Sequence, residues 1–401
     1  MRIDTGELER ELDELYSIGA EPGGGVYRPL YSEPWAAALE RVEQWMQRTG
    51  LITRRDAVGN LWGRVDGTSA DTKAVVTGSH IDTVRHGGRL DGALGIVAGL
   101  TSVRALLEAR GKPKRPLEVL AICEEEGSRF PTNFWGSRAI IGAIDHVDPD
   151  IAAAMREHGL DPTRIATAAR NDIDTFVELH IEQGAVLEST GRPLAIVSAI
   201  AGGVHLEVTV TGRADHAGTT PMHLRRDALS GAAAMIQAIE AITRSLGSPA
   251  VATVGKIHVE PDQINVVPGR ARFTVDLRHS TLGGRRALEE RIRSLCETTA
   301  SERSLGITIA TLHERPPVPM HSDVRAVLSR AAQDCAVQPM ELVSGAGHDA
   351  QILAAKCRVG MLFVPSIGGR SHCPEERTRP EHVELGTRVL LRALELLAYS
   401  S

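Results

Sequence analysis

The sequence predicts an α/β protein, with one large mixed to mainly parallel sheet and a small ferredoxin-like α+β domain inserted into it. Three observations carry this expectation. Short apolar runs alternate with helical patterns through the first half of the chain, the pattern changes near Gly203 to strict apolar–polar alternation, and the first style returns after Pro316-Pro317. Strands buried on both faces read as continuous apolar runs, whereas strands with one solvated face alternate with period two. At about 150 residues per domain, 401 residues suit two or three such bodies.

Taken in order, Asp4 caps a first helix with Glu7 three residues on, and Leu8, Leu12 and Leu15 follow at helical spacing. Gly23-Gly24-Gly25 and Pro29 break it, and a second amphipathic helix carries Leu39, Val42, Trp45 and Met46. Lys73–His80 reads as a buried strand, Gly95–Leu107 as a helix, and Leu117–Cys123 and Phe176–Ile181 as further buried strands. The inserted part runs Val204–Gly212, helix Asp227–Leu246, Val251–Val259, Arg270–His279, helix Arg285–Ser301 and Gly306–Glu314. That β-α-β-β-α-β order is the ferredoxin-like signature. Helices Asp323–Cys335 and Ala350–Lys356, buried strand Met361–Pro365 and closing helix His382–Leu397 complete the chain. The expected domains are therefore residues 1–204 with 323–401, and 205–322.

Composition excludes several classes of function. A net charge of −6, from 45 Lys and Arg against 51 Asp and Glu, offers no concentrated positive field for a nucleic acid. Aromatics at 3% leave little to stack on bases. No apolar run approaches the ~18 residues that span a bilayer, and the acidic N-terminus lacks the basic-then-apolar pattern of a signal peptide. Five cysteines, odd in number and never paired as CxxC, suit reduced thiols. The expectation is a cytoplasmic protein with no nucleic-acid and no membrane partner.

The chemistry-bearing residues sit at strand ends. Gly78-Ser79-His80-Ile81-Asp82 puts a histidine at the C-terminal edge of a buried sheet, where open α/β sheets bind ligands. Asp82 is placed to accept the other imidazole N–H and fix its tautomer, although a turn histidine beside a capping Asp has the same sequence. Asp91, directly before an apolar helix, reads as an N-cap or as a carboxylate whose two oxygens bridge two cations. Glu124-Glu125-Glu126 follows a wholly apolar strand, where three like charges need something positive nearby. His180 and His372 lie in ELHIEQG and GGRSHCPEE. Each histidine alone is an ordinary packed or surface residue; together with the carboxylates they form a set that Zn²⁺ or Mn²⁺ accepts. No GxxxxGK[ST], HExxH, CxxC or GxSxG occurs. Cys373 beside His372 does not make a thiol–imidazole pair, because adjacent residues on an extended segment point to opposite sides.

GSHIDTV, LDGALG, EEEGSRFP, ELHIEQG, HAGTTPM, NVVPGRARFTVDLRH, GAGHDAQ and GGRSHCPEE occur in this order. With them the chain, from about Tyr27 to its end, resembles the two-metal amidohydrolases of the hydantoinase/carbamoylase branch of the M20 peptidase-like family. The resemblance implies a metallopeptidase-like catalytic domain with a lid and dimerisation domain. It implies two divalent ions, Zn²⁺ or Mn²⁺, bridged by Asp91, one completed by His80 and His180, the other by Glu126 and His372. It makes Glu125 the catalytic base and implies that His216 of the inserted domain reaches into the partner subunit's active site of a homodimer. Gln183, Asn265, Arg278 and His348 match substrate-contacting positions. From their chemistry, His216 and Asn265 are donors suited to an oxyanion, and Arg278 offers a planar fork for a carboxylate. Asn265 reads equally as a turn residue before Pro268, and Arg278 as half of an ion pair.

The implied substrate is a small ureido acid, hydrolysed at its linear amide to ammonia, CO₂ and an amine. Arg129–Ser137, Asp276–His279 and Pro317–Met320 are similar to allantoate enzymes, which favours allantoate. N-carbamoyl-L-amino acids and β-ureidopropionate are the alternatives, and a non-catalytic metal-containing binding protein is the alternative of another class.

Overall fold

In the computed structural model, which describes residues 1–69 and 72–400, the chain divides into two compact units. One is Met1–Ser198 with Met320–Ser401, the other Ala199–Pro319. The sequence places these divisions a few residues later, at 204/205 and 322/323.

The first unit is built on a mixed sheet. Its strands are β1 (Ile52–Arg55), β2 (Leu61–Val65), β3 (Ala74–His80), β4 (Leu117–Ile122), β5 (Ile173–Ile181) and β6 (Ala195–Ile200). The second unit contributes β7 (Gly202–Thr211), β8 (Asp215–His216), β9 (Val251–Glu260), β10 (Val266–Val267), β11 (Arg270–His279), β12 (Gly306–Arg315) and β13 (Val318–Pro319). The chain then returns with β14 (Met340–Ser344) and β15 (Arg358–Val364). Within the first unit the large sheet has the order β1-β2-β4-β3-β5-β15-β6, with β14 also beside β6. Its centre, β4-β3-β5-β15, is the expected parallel core. Antiparallel strands flank it, β2 and β1 on one side and β6 on the other. The sequence does not announce β1, because Ile52-Thr53-Arg54-Arg55 is a short, exposed edge strand whose charged residues guard the edge.

Helix Ala93–Arg110 is apolar nearly all round and accordingly buried nearly all round. It packs on β3 between helices Thr5–Ser17 and Pro380–Ala398. Gly78 in β3 has φ +151°, and a Cβ there would lie 1.8 Å from the Leu120 carbonyl oxygen of β4. Side chains cannot enter that gap without parting two central strands. Gly78→Ala is expected to destabilise the protein by about 3 kcal/mol or more, read as a lower denaturant midpoint. A loss below about 1 kcal/mol would show that the sheet yields there.

The second unit is a four-stranded antiparallel sheet, β12-β7-β11-β9, carrying helices Ala228–Leu246 and Leu282–Glu302. Alternate residues of β7 (Val204, Leu206, Val208, Val210) and β11 (Ala271, Phe273, Val275, Leu277) join Ala232, Met235, Leu288 and Ile292 of the helices in one core. The period-two pattern in the sequence is thus a sheet covered on one face. A separate ribbon pairs β8 with β10, setting His216 opposite Val266.

Candidate metal centre

Parallel strands end at one edge, and their C-terminal ends carry the chemistry. His80 closes β3, Glu124–Glu126 follow β4, His180 is next to last in β5, and His372 lies in the loop after β15. Asp91 enters just before helix Ala93–Arg110. Among the described residues four groups of ligand atoms, the atoms of each within 4.8 Å of one another, result: His80, Asp91 and His180; Asp91, Glu126 and His372; His80, Glu125 and Glu126; and Glu178, His180 and His348. Asp91 belongs to the first two. Its Oδ1 lies 3.5 Å from His80 Nε2 and 3.2 Å from His180 Nε2, and its Oδ2 lies 3.0 Å from His372 Nε2. His372 Nε2 is also 3.3 Å from Glu126 Oε1.

These residues suit a cation. His80 Nδ1 lies 3.1 Å from the Asp82 carbonyl, and His180 Nδ1 lies 2.9 Å from the Ile181 carbonyl. Carbonyls only accept, so each Nδ1 carries a proton and Nε2 is the atom that each ring turns toward Asp91. Asp91 Oδ1 is buried with no hydrogen-bond donor among the described residues. Lone pairs facing a carboxylate oxygen require protons or a cation between them. Burial opposes the charged imidazole of His80, yet Asp82 and Asp91 push its pKa well above the usual range. Hydrogen bonds to Asp91 and Glu126 push His372 up to about 10. The wider charge balance agrees. Asp82, Asp91, Glu124, Glu125, Glu178, Asp349 and Glu376 are all buried in this unit. Against them the unit buries, among the described residues, a single arginine, Arg28, and no lysine.

The three consecutive glutamates take three different positions. Glu124 turns inward and accepts the N–H groups of Gly127 and Trp135. The N–H groups of Glu125 and Glu126 donate to Asp82, at 3.0 and 3.2 Å. Asp82 thereby aims two side chains as well as touching His80. Burial, reinforced by the neighbouring Glu126 carboxylate, raises the Glu125 pKa well above the ordinary glutamate value. A carboxyl shifted that way holds a proton more readily than an ordinary glutamate, as a general acid–base group must.

Of the remaining expected residues, Gln183 and His348 join this centre. Gln183 Nε2 donates to Asp91 Oδ2 at 3.0 Å from a left-handed backbone, φ +58°. His348 is buried, 2.9 Å from the Ser344 hydroxyl and in edge contact with His180, and burial holds its pKa well below the usual range. His216, Asn265 and Arg278 belong to the second unit. There His216 Nδ1 accepts the N–H groups of Gly218 and Thr219, which leaves Nε2–H as a donor. Asn265 lies beside it, its carbonyl accepting the Ala217 N–H at 2.9 Å. The Arg278 guanidinium is gripped by Asp276 through Nε at 3.1 Å and Nη2 at 2.6 Å, so the ion-pair reading of this residue holds within the unit.

Sequence reasoning misses Glu376, Ser371 and Arg28. Arg28 donates from Nε to the Ile81 carbonyl at 3.0 Å and from its backbone N–H to the Thr83 hydroxyl at 2.8 Å, bracing the segment that holds His80 and Asp82. Nothing local in YRPLY signals this. Ser371 directly precedes His372 and Glu376 follows it four residues on, and that closeness is the one available hint.

A model of the peptidase family M20/M25/M40 matches residues 76–396. The chain is 40% identical to the allantoate amidohydrolase of Escherichia coli, over 98% of each chain. It is also 40% identical to the N-carbamoyl-L-amino acid amidohydrolase of Geobacillus stearothermophilus, over 99% of each. Among solved structures, a hydantoinase/carbamoylase family amidase from Burkholderia ambifaria superimposes with a TM-score of 0.93 at 35% identity, covering 100% of this chain and 99% of the other.

Proposed function

This chain belongs to peptidase family M20/M25/M40 and is a hydrolase of carbon–nitrogen bonds, and on that footing we propose that it cleaves the linear amide of a small ureido acid, with allantoate the favoured substrate. The observation that carries the reading is the sharing of Asp91 between two ligand groups, with Glu125 close by. His80, Asp91 and His180 would hold one divalent ion, and Asp91, Glu126 and His372 a second, Zn²⁺ or Mn²⁺. Bound there, two such ions supply polarisation of the scissile carbonyl and acidification of an attacking water.

Glu125 takes the proton of that water and hands it to the leaving nitrogen, a role its raised pKa supports. Asp82 keeps Glu125 in place through the backbone. Gln183 and His348 line the substrate from the first unit. His216, through its Nε2–H, and Asn265 supply donors to the oxyanion. Arg278, its plane set by Asp276, receives the substrate carboxylate. The inserted domain serves as lid and dimerisation surface, and His216 acts in the partner subunit of a homodimer. A cytoplasmic setting suits five cysteines that are all free. No helix among the described residues is long and apolar enough to cross a membrane.

Allantoate is favoured by the stretches 129–137, 276–279 and 317–320. N-carbamoyl-L-amino acids are the second reading, since the Geobacillus relative is equally similar. Ammonia release from allantoate, several N-carbamoyl-L-amino acids and a dipeptide, with Mn²⁺ or Zn²⁺ supplied, tests the ranking. Allantoate is expected to react fastest, and faster release from a carbamoyl amino acid reverses the order. For the homodimer, His216→Ala and Glu125→Gln proteins, each inactive, are expected to regain about a quarter of wild-type activity once their subunits exchange at random. Verified exchange without recovery removes the role in trans.

A further inference from the structure

Glu376 is a buried carboxylate of the centre that belongs to none of the ligand groups. Its Oε1 accepts the backbone N–H of Leu90 at 2.8 Å and of Asp91 at 3.0 Å. Its Oε2 accepts the Ser371 hydroxyl at 2.7 Å. That hydroxyl also stands 3.2 Å from Asp91 Oδ2, and with one proton it serves one carboxylate at a time. The close approach is provided for, because a Cβ on Gly88 would lie 2.1 Å from the Glu376 carboxyl. One side chain, itself 285 residues from Asp91 along the chain, thus ties the segment before Asp91 to the segment carrying His372. Two consecutive N–H groups converging on one oxygen fix the backbone at Asp91 relative to the loop that carries Ser371 and His372.

We infer that Glu376 is a positioning residue for the metal position formed by Asp91, Glu126 and His372, and that it sets the affinity of that position while scarcely touching the one formed by His80, Asp91 and His180. The inference rests on the metal assignment proposed above. Its asymmetry follows from packing. His80 and His180 stand on central strands with side chains 3% and 1% exposed, each braced through Nδ1. His372 stands on a loop, 47% exposed, with a left-handed φ of +56°. Its place relative to Asp91 depends on what ties that loop down; Glu188 and Gln183 hold its earlier part, and Ser371 and Glu376 are the ties that run to the Asp91 segment.

The test is a titration of metal-stripped protein with Mn²⁺, resolving two dissociation constants by calorimetry. Glu376→Ala is expected to weaken the looser ion about 10- to 100-fold and to change the tighter one by less than about threefold. Glu376→Gln keeps Oε1 for both N–H groups and lets the Ser371 hydroxyl turn to Asp91, so both constants should stay within about threefold of wild type. No weakening in Glu376→Ala, or equal weakening of both ions, overturns the inference. So does a Glu376→Gln protein as weak as Glu376→Ala, which assigns the effect to charge rather than position. Should Glu376→Ala fail to fold, Ser371→Ala replaces it, with several-fold weakening of the looser ion alone expected and unchanged constants overturning the inference. A wild-type protein that takes up no ion sinks the metal assignment itself, whereas two ions in every variant with unaltered constants sinks only the role of Glu376.

Discussion

Glu125→Gln is expected to lower turnover roughly 10²- to 10⁴-fold while two ions stay bound. The amide keeps the shape of the side chain and its backbone bonds to Asp82, so the loop should not move. What it loses is the capacity to take a proton and give it back. The experiment is decisive because geometry alone leaves Glu125 within reach of a ligand role: its carboxylate falls in one group with His80 and Glu126. Metal content separates the roles. Turnover lost with both ions retained identifies a base, turnover lost together with one ion identifies a ligand, and unchanged ammonia release removes Glu125 from the chemistry.

Stripping the metal is expected to abolish activity, restore it when Mn²⁺ or Zn²⁺ is returned, and lower the melting temperature. A ligand bound only by the folded state stabilises it by about 2.7 kcal/mol at 100 times its dissociation constant, and each of two ions adds such an amount. The stripped protein should also respond to pH in a definite direction. Glu124, Glu125, Glu126 and Glu376 all have pKa values raised by burial, so between 4.5 and their folded values the folded state binds protons that the unfolded state does not. Stability then falls as pH rises through that window. His80, His180 and His372, also raised, act in the same direction. Asp91 is lowered and acts oppositely, but only below its ordinary value of 3.8. His348 is lowered as well and works against the trend below 6.5, as one group among several. Melting curves from pH 5 to 8 should therefore slope downward for stripped protein and flatten once metal is added. A stripped protein as stable and as flat as the loaded one would show that no cation balances these carboxylates.

Much of the fold was legible because local patterns report burial directly. Runs such as Ala74–His80 and Leu117–Ile122, buried throughout, could only be central strands. The alternation in Val204–Gly212 could only be a sheet covered on one face. Motifs were legible where ligand and brace sit close together, as His80 and Asp82 do. Edge strands were not, since Ile52–Arg55 buries nothing and owes its conformation to pairing with β2.

By itself the sequence determined which residue types were on offer, at which strand ends, and in what order. Only the tertiary structure decided which backbone N–H groups each carboxylate would meet. Glu124, Glu125 and Glu126 are chemically identical neighbours, yet one turns to Trp135 while the other two are held by Asp82. Glu376 reaches Asp91 because β15 lies beside β5 and β5 beside β3. Periodicity along a chain records which face of an element is buried, but contacts between residues hundreds of positions apart follow from strand order, which no local pattern encodes.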